Sequence, residues 1–219
     1  MELVLLAILH HAFVRILCQH SFMNIILAST SKYRAQLLHQ LALPFSQIAP
    51  VVDEEKLKVQ LEHQFVNDPK QIAIELARAK AESLASPQSL VIGGDQLVNF
   101  ENLILGKPLN YQNAFSQLQK MQGNTHQLIT ALAICYQSQT HLICDITTLK
   151  MRPLSDLQIK NYLQLDQPFD CAGSYKLEKH GITLFEKIES QDFTAIQGIP
   201  LIALTNLLQN LNIPLLTSL

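Results

Sequence analysis

The sequence predicts a mixed α/β fold built on long antiparallel strands, not a doubly wound parallel sheet. Three observations carry that reading. Asn24–Ala28 is a short apolar run that passes through Ser29-Thr30-Ser31 into residues at helical spacing, the pattern of a buried strand feeding a helix. Thr125–Tyr136 and Thr140–Met151 are long β patterns on either side of the polar turn 137–139, which reads as an antiparallel pair. Strand and helix patterns alternate elsewhere without repeats, linkers or low-complexity tracts, so 23–219 reads as a single domain.

After the first strand, Arg34, Leu37, Leu38 and Leu41 mark a helix, and Pro44 ends it before a second strand at Phe45–Ile48. Ala49–Glu55 reads as a loop carrying acids. Asn67-Asp68-Pro69 starts a helix, with Asp68 as N-cap and Pro69 in the first position, where a missing N–H costs nothing. This helix is expected to reach about Ala85, with Ile72, Leu76, Lys80 and Leu84 four apart on one side. A lysine in an apolar stripe must extend its head to solvent or meet an anion. Leu90–Ile92 reads as a short buried strand ending in Gly93-Gly94-Asp95-Gln96, where paired glycines favour a sharp turn and close approach of a ligand. Leu97–Phe100 and Leu103–Leu105 read as a hairpin across Glu101-Asn102 that exits into Gly106-Lys107-Pro108. Asn110 caps a helix through Phe115, Leu118 and Met121, stopped by Gly123. Beyond the long pair, a short helix is expected from Ser155 to Leu163, a strand at Ile182–Ile188, and a last amphipathic helix opened by Gly198-Ile199-Pro200.

Several of these junctions carry chemistry. A strand running into a helix N-terminus turns backbone N–H groups toward an anion. Ser29, Ser31 and Arg34 add hydroxyls and a guanidinium fork that fits phosphate oxygens, unless Ser31 is only a cap and Arg34 only a surface residue. Further glycine- or serine-rich turns deliver Asp95, Lys107 and the Lys176/Glu178 pair, while Lys80 and Glu54 add a cation and an acid. Cations with two carboxylates suit a polyphosphate chelated by a divalent ion. Oxygen ligands without clustered His or Cys favour magnesium or manganese over zinc. Asp95 can reach either a water or a metal, and the residues leave those roles open. The absence of GxxxxGK[ST] excludes a P-loop, and the eight histidines form no HExxH or triad-like set.

Ala28-Ser29-x-Ser31-x-x-Arg34-x-x-Leu37-Leu38, Val52-Asp53-Glu54, Ala77-x-x-Lys80-Ala81, Gly94-Asp95-Gln96, Gly106-Lys107-Pro108, Cys171–Ser174 and Gly198–Leu201 together resemble the ordered motif set of the Maf family. These are nucleoside triphosphate pyrophosphatases that cut between the α and β phosphates. The resemblance runs over residues 23–210, with Gly198-Ile199-Pro200 in place of the usual Gly-Leu-Pro. It implies an elongated mixed sheet flanked by helices, two lobes around a deep cleft as in inosine triphosphatases, and a homodimer. It implies a divalent metal (magnesium or manganese) at Asp95 and Glu54, with Glu54 ligating it or orienting a group that does, and Asp95 as the catalytic proton acceptor. Ser29, Ser31, Arg34, Lys80 and Lys107 are then the phosphate-binding residues.

Within the family three positions track the base, here Tyr33, Gln96 and Glu178. They resemble the subgroup acting on 7-methyl-GTP in a house-cleaning role against modified nucleotides, whereas the dTTP/UTP subgroup carries Arg, Thr and Gln. Methylation at N7 makes the guanine cationic, so a stacked aromatic gains about 0.5–2 kcal/mol and a carboxylate can accept from N1–H and the amino group. The alternatives are that Tyr33 only packs and Glu178 only pairs with Lys176, that the chain is a dTTP/UTP pyrophosphatase, or that it is a non-catalytic nucleotide-binding protein linked to septum formation.

Composition sets outer bounds. The chain of 219 residues is 48% hydrophobic and 16% charged, which suits a folded domain, and its net charge of -2 gives no reason to expect nucleic-acid binding. Cys18, Cys135, Cys144 and Cys171 have no metal-ligand spacing and read as thiols in a reducing cytoplasm. Leu3–Val14 is too short to span a bilayer and lacks the basic flank of a signal peptide, so 1–22 is expected to be a non-essential extension without stable membrane association.

Overall fold

The computed structural model describes residues 24–216, so the expected extension lies outside it. One seven-stranded sheet organises the fold: β1 (Asn24–Ala28), β2 (Ser46–Ile48), β3 (Ser89–Phe100), β4 (Leu103–Leu105), β5 (Thr125–Tyr136), β6 (Gln139–Met151) and β7 (Phe185–Glu189). The order is β2-β1-β3-β5-β6-β7, with β4 on β3. β1 runs parallel to β2 and β3, and every other pair is antiparallel, which is the mixed sheet the sequence predicts. The helices are α1 (Lys32–His39), α2 (Glu54–Gln64), α3 (Pro69–Glu82), α4 (Tyr111–Met121), α5 (Asp156–Asp166) and α6 (Leu201–Asn210). No helix among the described residues is long and apolar enough to cross a membrane.

Side-chain alternation divides the core between the two faces of the sheet. Ile26, Val91, Leu97, Ile129 and Ala133 pack beneath α3 and Leu61 of α2. On the other face, Leu27, Ile92 and Leu132 meet α1 and α6, while Val98, Phe100 and Leu128 meet α4 and α5 farther along the same strands. Between those two apolar clusters lies a polar seam containing Gln96 and Thr130.

The sheet also has a gap. β1 pairs with β3 only as far as Ala28 opposite Gly93, and β4 joins the same edge only at Val98. Residues 94–97 therefore have no strand beside them on that edge, and side chains from both faces of β3 can reach one opening.

Several expectations need correction. β3 does not end at the glycines; it runs unbroken for 12 residues. Gly93 is there for space: a Cβ on it would stand 2.4 Å from the Ala77 carbonyl oxygen and 2.5 Å from the Ala81 nitrogen, so its hydrogen lets α3 lie directly on the strand. Asp95 is accordingly a mid-strand residue, not a turn residue. Glu54 and Glu55 do not lie in a loop; they form the first turn of α2, capped by Asp53, where acids favour the helix dipole. The strand expected at Ile182–Ile188 begins only at Phe185, after a 3-10 turn at His180–Leu184. α3 stops at Glu82, and α5 continues to Asp166 beyond the expected Leu163.

A buried aromatic cluster supports the floor of the sheet near the site. His126 Nε2 lies 3.1 Å from the Tyr175 hydroxyl, and both rings pack on Phe185. Burial lowers the His126 pKa to about 4. The unfolded chain, with an ordinary histidine near 6.5, binds the proton more readily. Stability from this residue is therefore complete above pH 6.5 and lost as pH falls toward 4, by about 3 kcal/mol. Thermal melts between pH 4 and 7 should show that decline, and His126→Phe should flatten it.

Candidate functional site

All ten residues singled out in the sequence line one cavity of about 680 Å³ at the gap in the sheet. β1 delivers Ser29, the α1 N-terminus delivers Ser31, Tyr33 and Arg34, and β3 delivers Asp95 and Gln96. α2 and α3 bring Glu54 and Lys80, the β4–α4 loop brings Lys107, and the segment before His180 brings Glu178.

One end of the cavity centres on Lys80. Its ammonium lies 2.8 Å from Asp95 Oδ1 and 2.8 Å from Glu54 Oε2, with Lys80 5% and Asp95 8% exposed. The anion required by a lysine in an apolar stripe is thus a pair of carboxylates. Asp95 Oδ2 is buried with no hydrogen-bond partner. Such an atom is costly unless a ligand, water or ion completes it, which makes Asp95 the natural acceptor of a proton or a cation. No group of three or more His, Cys, Asp or Glu side chains among the described residues could hold a metal alone. Two carboxylates with an orphaned oxygen still fit magnesium, which uses one or two carboxylates and completes its shell with water and substrate phosphate.

Arg34 crosses the strand ends beside this group. Its Nε donates to the Gly198 carbonyl at 3.1 Å and its Nη1 to Ser29 Oγ at 3.3 Å. Gly198 has φ +115°, and a Cβ there would come within 3.2 Å of Arg34 Cγ, so the glycine answers both a backbone and a packing demand. Burial lowers the guanidinium pKa, while Asp95 and Glu54 pull it back up. Ser31 is the α1 N-cap, accepting from the Arg34 amide at 3.4 Å, and it also lines the cavity. Lys107 is exposed at the rim.

The opposite end is acidic and aromatic. Burial raises the Tyr33 pKa, and nearby Cys171, Asp170 and Glu178 raise it further against the opposing effect of Lys176. Lys176 does not pair with Glu178. Its ammonium is buried against Asp170 at 2.9 Å and the carbonyls of Asp166 and Gln167, which leaves Glu178 without an ion pair among the described residues. Gln96 donates its amide nitrogen to Thr130 Oγ1 and to the Ala195 and Ile196 carbonyls at 2.9–3.1 Å. The 3-10 turn Phe193–Gln197 thereby fixes Gln96 as a rigid acceptor. Cys171, also at this end, has its thiol pushed up to about 12 by burial and by Asp170, so it stays protonated.

Over residues 24–211 the chain matches the family model described as Maf-like protein. It belongs to the Maf family. A Bdellovibrio bacteriovorus protein named 7-methyl-GTP pyrophosphatase is 52% identical to this Maf chain over 190 residues, covering 87% of the chain and 98% of that protein. Proteins of the same name from Ralstonia nicotianae and Thiobacillus denitrificans are 42% and 41% identical, each over 87% or more of this chain and 95% or more of their own length.

The structure of this Maf protein adds cavity residues that sequence reasoning missed. Asp170 precedes the Cys171–Ser174 motif but gave no periodic signal, and only folding shows it holding Lys176. Lys58 lies on α2, a helix the sequence did not reveal. Ser174 itself is fully buried and donates to Gln117 Oε1, so it secures the loop against α4 without lining the cavity.

Proposed function

We propose that this protein hydrolyses 7-methyl-GTP to 7-methyl-GMP and diphosphate in the cytoplasm, assisted by magnesium or manganese. One observation carries the reading: a lysine-bridged carboxylate pair and an unpaired glutamate beside a tyrosine meet in one cavity, so phosphate chemistry and cationic-base recognition share a site. The names of the relatives support the same substrate.

Lys80 holds Asp95 through Oδ1, leaving the buried Oδ2 to take the proton of the attacking water. As the bond between the α and β phosphates breaks, charge moves onto the leaving diphosphate. Arg34, steadied by Gly198 and Ser29, and Lys107 meet that charge with positions set beforehand. Glu54 and Asp95 would hold the divalent ion, which when bound would offset the negative charge of the phosphate oxygens. At the base end, Tyr33 stacks on the methylated ring, Glu178 accepts from its N1–H and amino group, and Gln96 offers its carbonyl oxygen.

A panel of 7-methyl-GTP, GTP, dTTP and UTP, scored by diphosphate release, tests the proposal. The methyl group contributes only through charge and stacking, so the preference over GTP should be about ten- to a hundredfold, with dTTP and UTP poor. Glu178→Gln should narrow that preference more than it weakens phosphate binding, because it removes the negative charge opposite the ring. Wild-type preference for dTTP or UTP, or no turnover of any triphosphate, would overturn the reading.

A further inference from the structure

We infer that Lys58 is a phosphate-binding residue, acting with Lys107 on the terminal phosphates and on the diphosphate product. The inference rests on the triphosphate reading above. Lys58 lies four residues after Glu54 on α2, so the two share one helix face, and both line the cavity. Four residues of helix separate Lys58 from the glutamate on Lys80, a rise of about 6 Å along the axis, which places it on the scale of a neighbouring phosphate.

Three observations point to a ligand. First, the Lys58 ammonium stands 3.6 Å from where a Cβ on Gly106 would lie, beside the backbone that leads into Lys107. Two cations from separate elements, α2 and the β4–α4 loop, therefore converge on one side of the cavity. Second, three other cations nearby already have partners. Arg34 binds Gly198 and Ser29, Lys80 binds Glu54 and Asp95, and Lys176 binds Asp170. The ion pair of Lys58 is a 3.6 Å contact to Glu62 within the same helix, with both side chains about a third or more exposed at 31% and 41%. Contacts of that kind are weak and exchange readily for a better anion. Third, the charge at the phosphate end is short without it. Glu54, Glu55 and Asp95 cancel three of Lys32, Arg34, Lys80 and Lys107, leaving one net positive side-chain charge beside any bound divalent ion for a group that carries several negative ones. Lys58 adds the cation where the departing diphosphate gathers charge.

The experiment compares wild type, Lys58→Met and Lys58→Arg in the full chain. Calorimetric titration with magnesium diphosphate and, separately, with 7-methyl-GMP is set beside steady-state kinetics. Lys58→Met should weaken diphosphate binding and raise KM for the triphosphate by about tenfold or more, as expected when a charged hydrogen bond is lost. Affinity for 7-methyl-GMP should stay within twofold, and Lys58→Arg should recover most of the diphosphate affinity. Unchanged diphosphate affinity in Lys58→Met, or an equal loss for the monophosphate, overturns the assignment. Wild-type failure to release diphosphate from any triphosphate is a failure of the pyrophosphatase reading and is seen independently of the titration.

Discussion

Asp95→Asn should lower kcat by about 10²–10⁴ while leaving nucleotide affinity nearly intact. The amide keeps the shape of the carboxylate, and its oxygen can still accept from Lys80, which holds Oδ1 at 2.8 Å in the native site. Its nitrogen then occupies the position of Oδ2, the buried oxygen with no partner. A donor there can take neither a proton from water nor a place on a cation. The substrate contacts proposed for Arg34, Lys107, Tyr33 and Glu178 do not depend on that oxygen, so binding should survive. Single-turnover assays with 7-methyl-GTP, paired with calorimetry, separate the two effects. A kcat close to wild type would remove Asp95 from the chemistry.

Gly93→Ala should be among the most damaging single methyls in the fold. The added carbon meets backbone atoms of α3 at 2.4 and 2.5 Å, so no side chain can rotate aside and the helix must lift from β3. Overpacking of this kind costs about 3 kcal/mol, or a fall in Tm of about 6–12 °C for a domain this size. Activity should fall as well, since α3 carries Lys80 onto Asp95. Gly94→Ala makes the contrast. Its Cβ would meet side-chain atoms, Leu132 Cδ2 at 3.0 Å and Arg34 Nε at 3.1 Å, which can shift. Equal melting temperatures for wild type and Gly93→Ala would show that α3 has slack the packing does not display.

These two glycines also show where sequence reasoning stops. From the chain alone a Gly-Gly pair reads as a turn, because backbone freedom is local and legible. What Gly93 provides is room for a helix 12 residues upstream, and no local pattern encodes that contact. β1, the β5–β6 pair and the Asp68–Pro69 helix start were legible because each buries a regular apolar face or carries strong capping chemistry. α2 was not. Leu61 is its only buried residue, so it has no apolar stripe, and with it went Lys58 and the helical placement of Glu54. The ten residues the motifs single out do meet in one cavity. The arrangement that explains them, Lys80 between two carboxylates and Lys176 drawn away from Glu178, depends on contacts made only in the fold.

The break in the sheet beside residues 94–97 has a consequence for how such an enzyme can change over generations. Asp95 and Gln96 are neighbours in the chain but point to opposite faces of β3, one into the packing of α3 and the other into the turn at Phe193–Gln197. Because both line the same opening, the roles proposed for them, reaction and recognition, are adjacent in space yet rest on separate foundations. On those proposed roles, selection can rewrite the base preference through position 96 and its turn while the Asp95 carboxylate keeps every one of its supports.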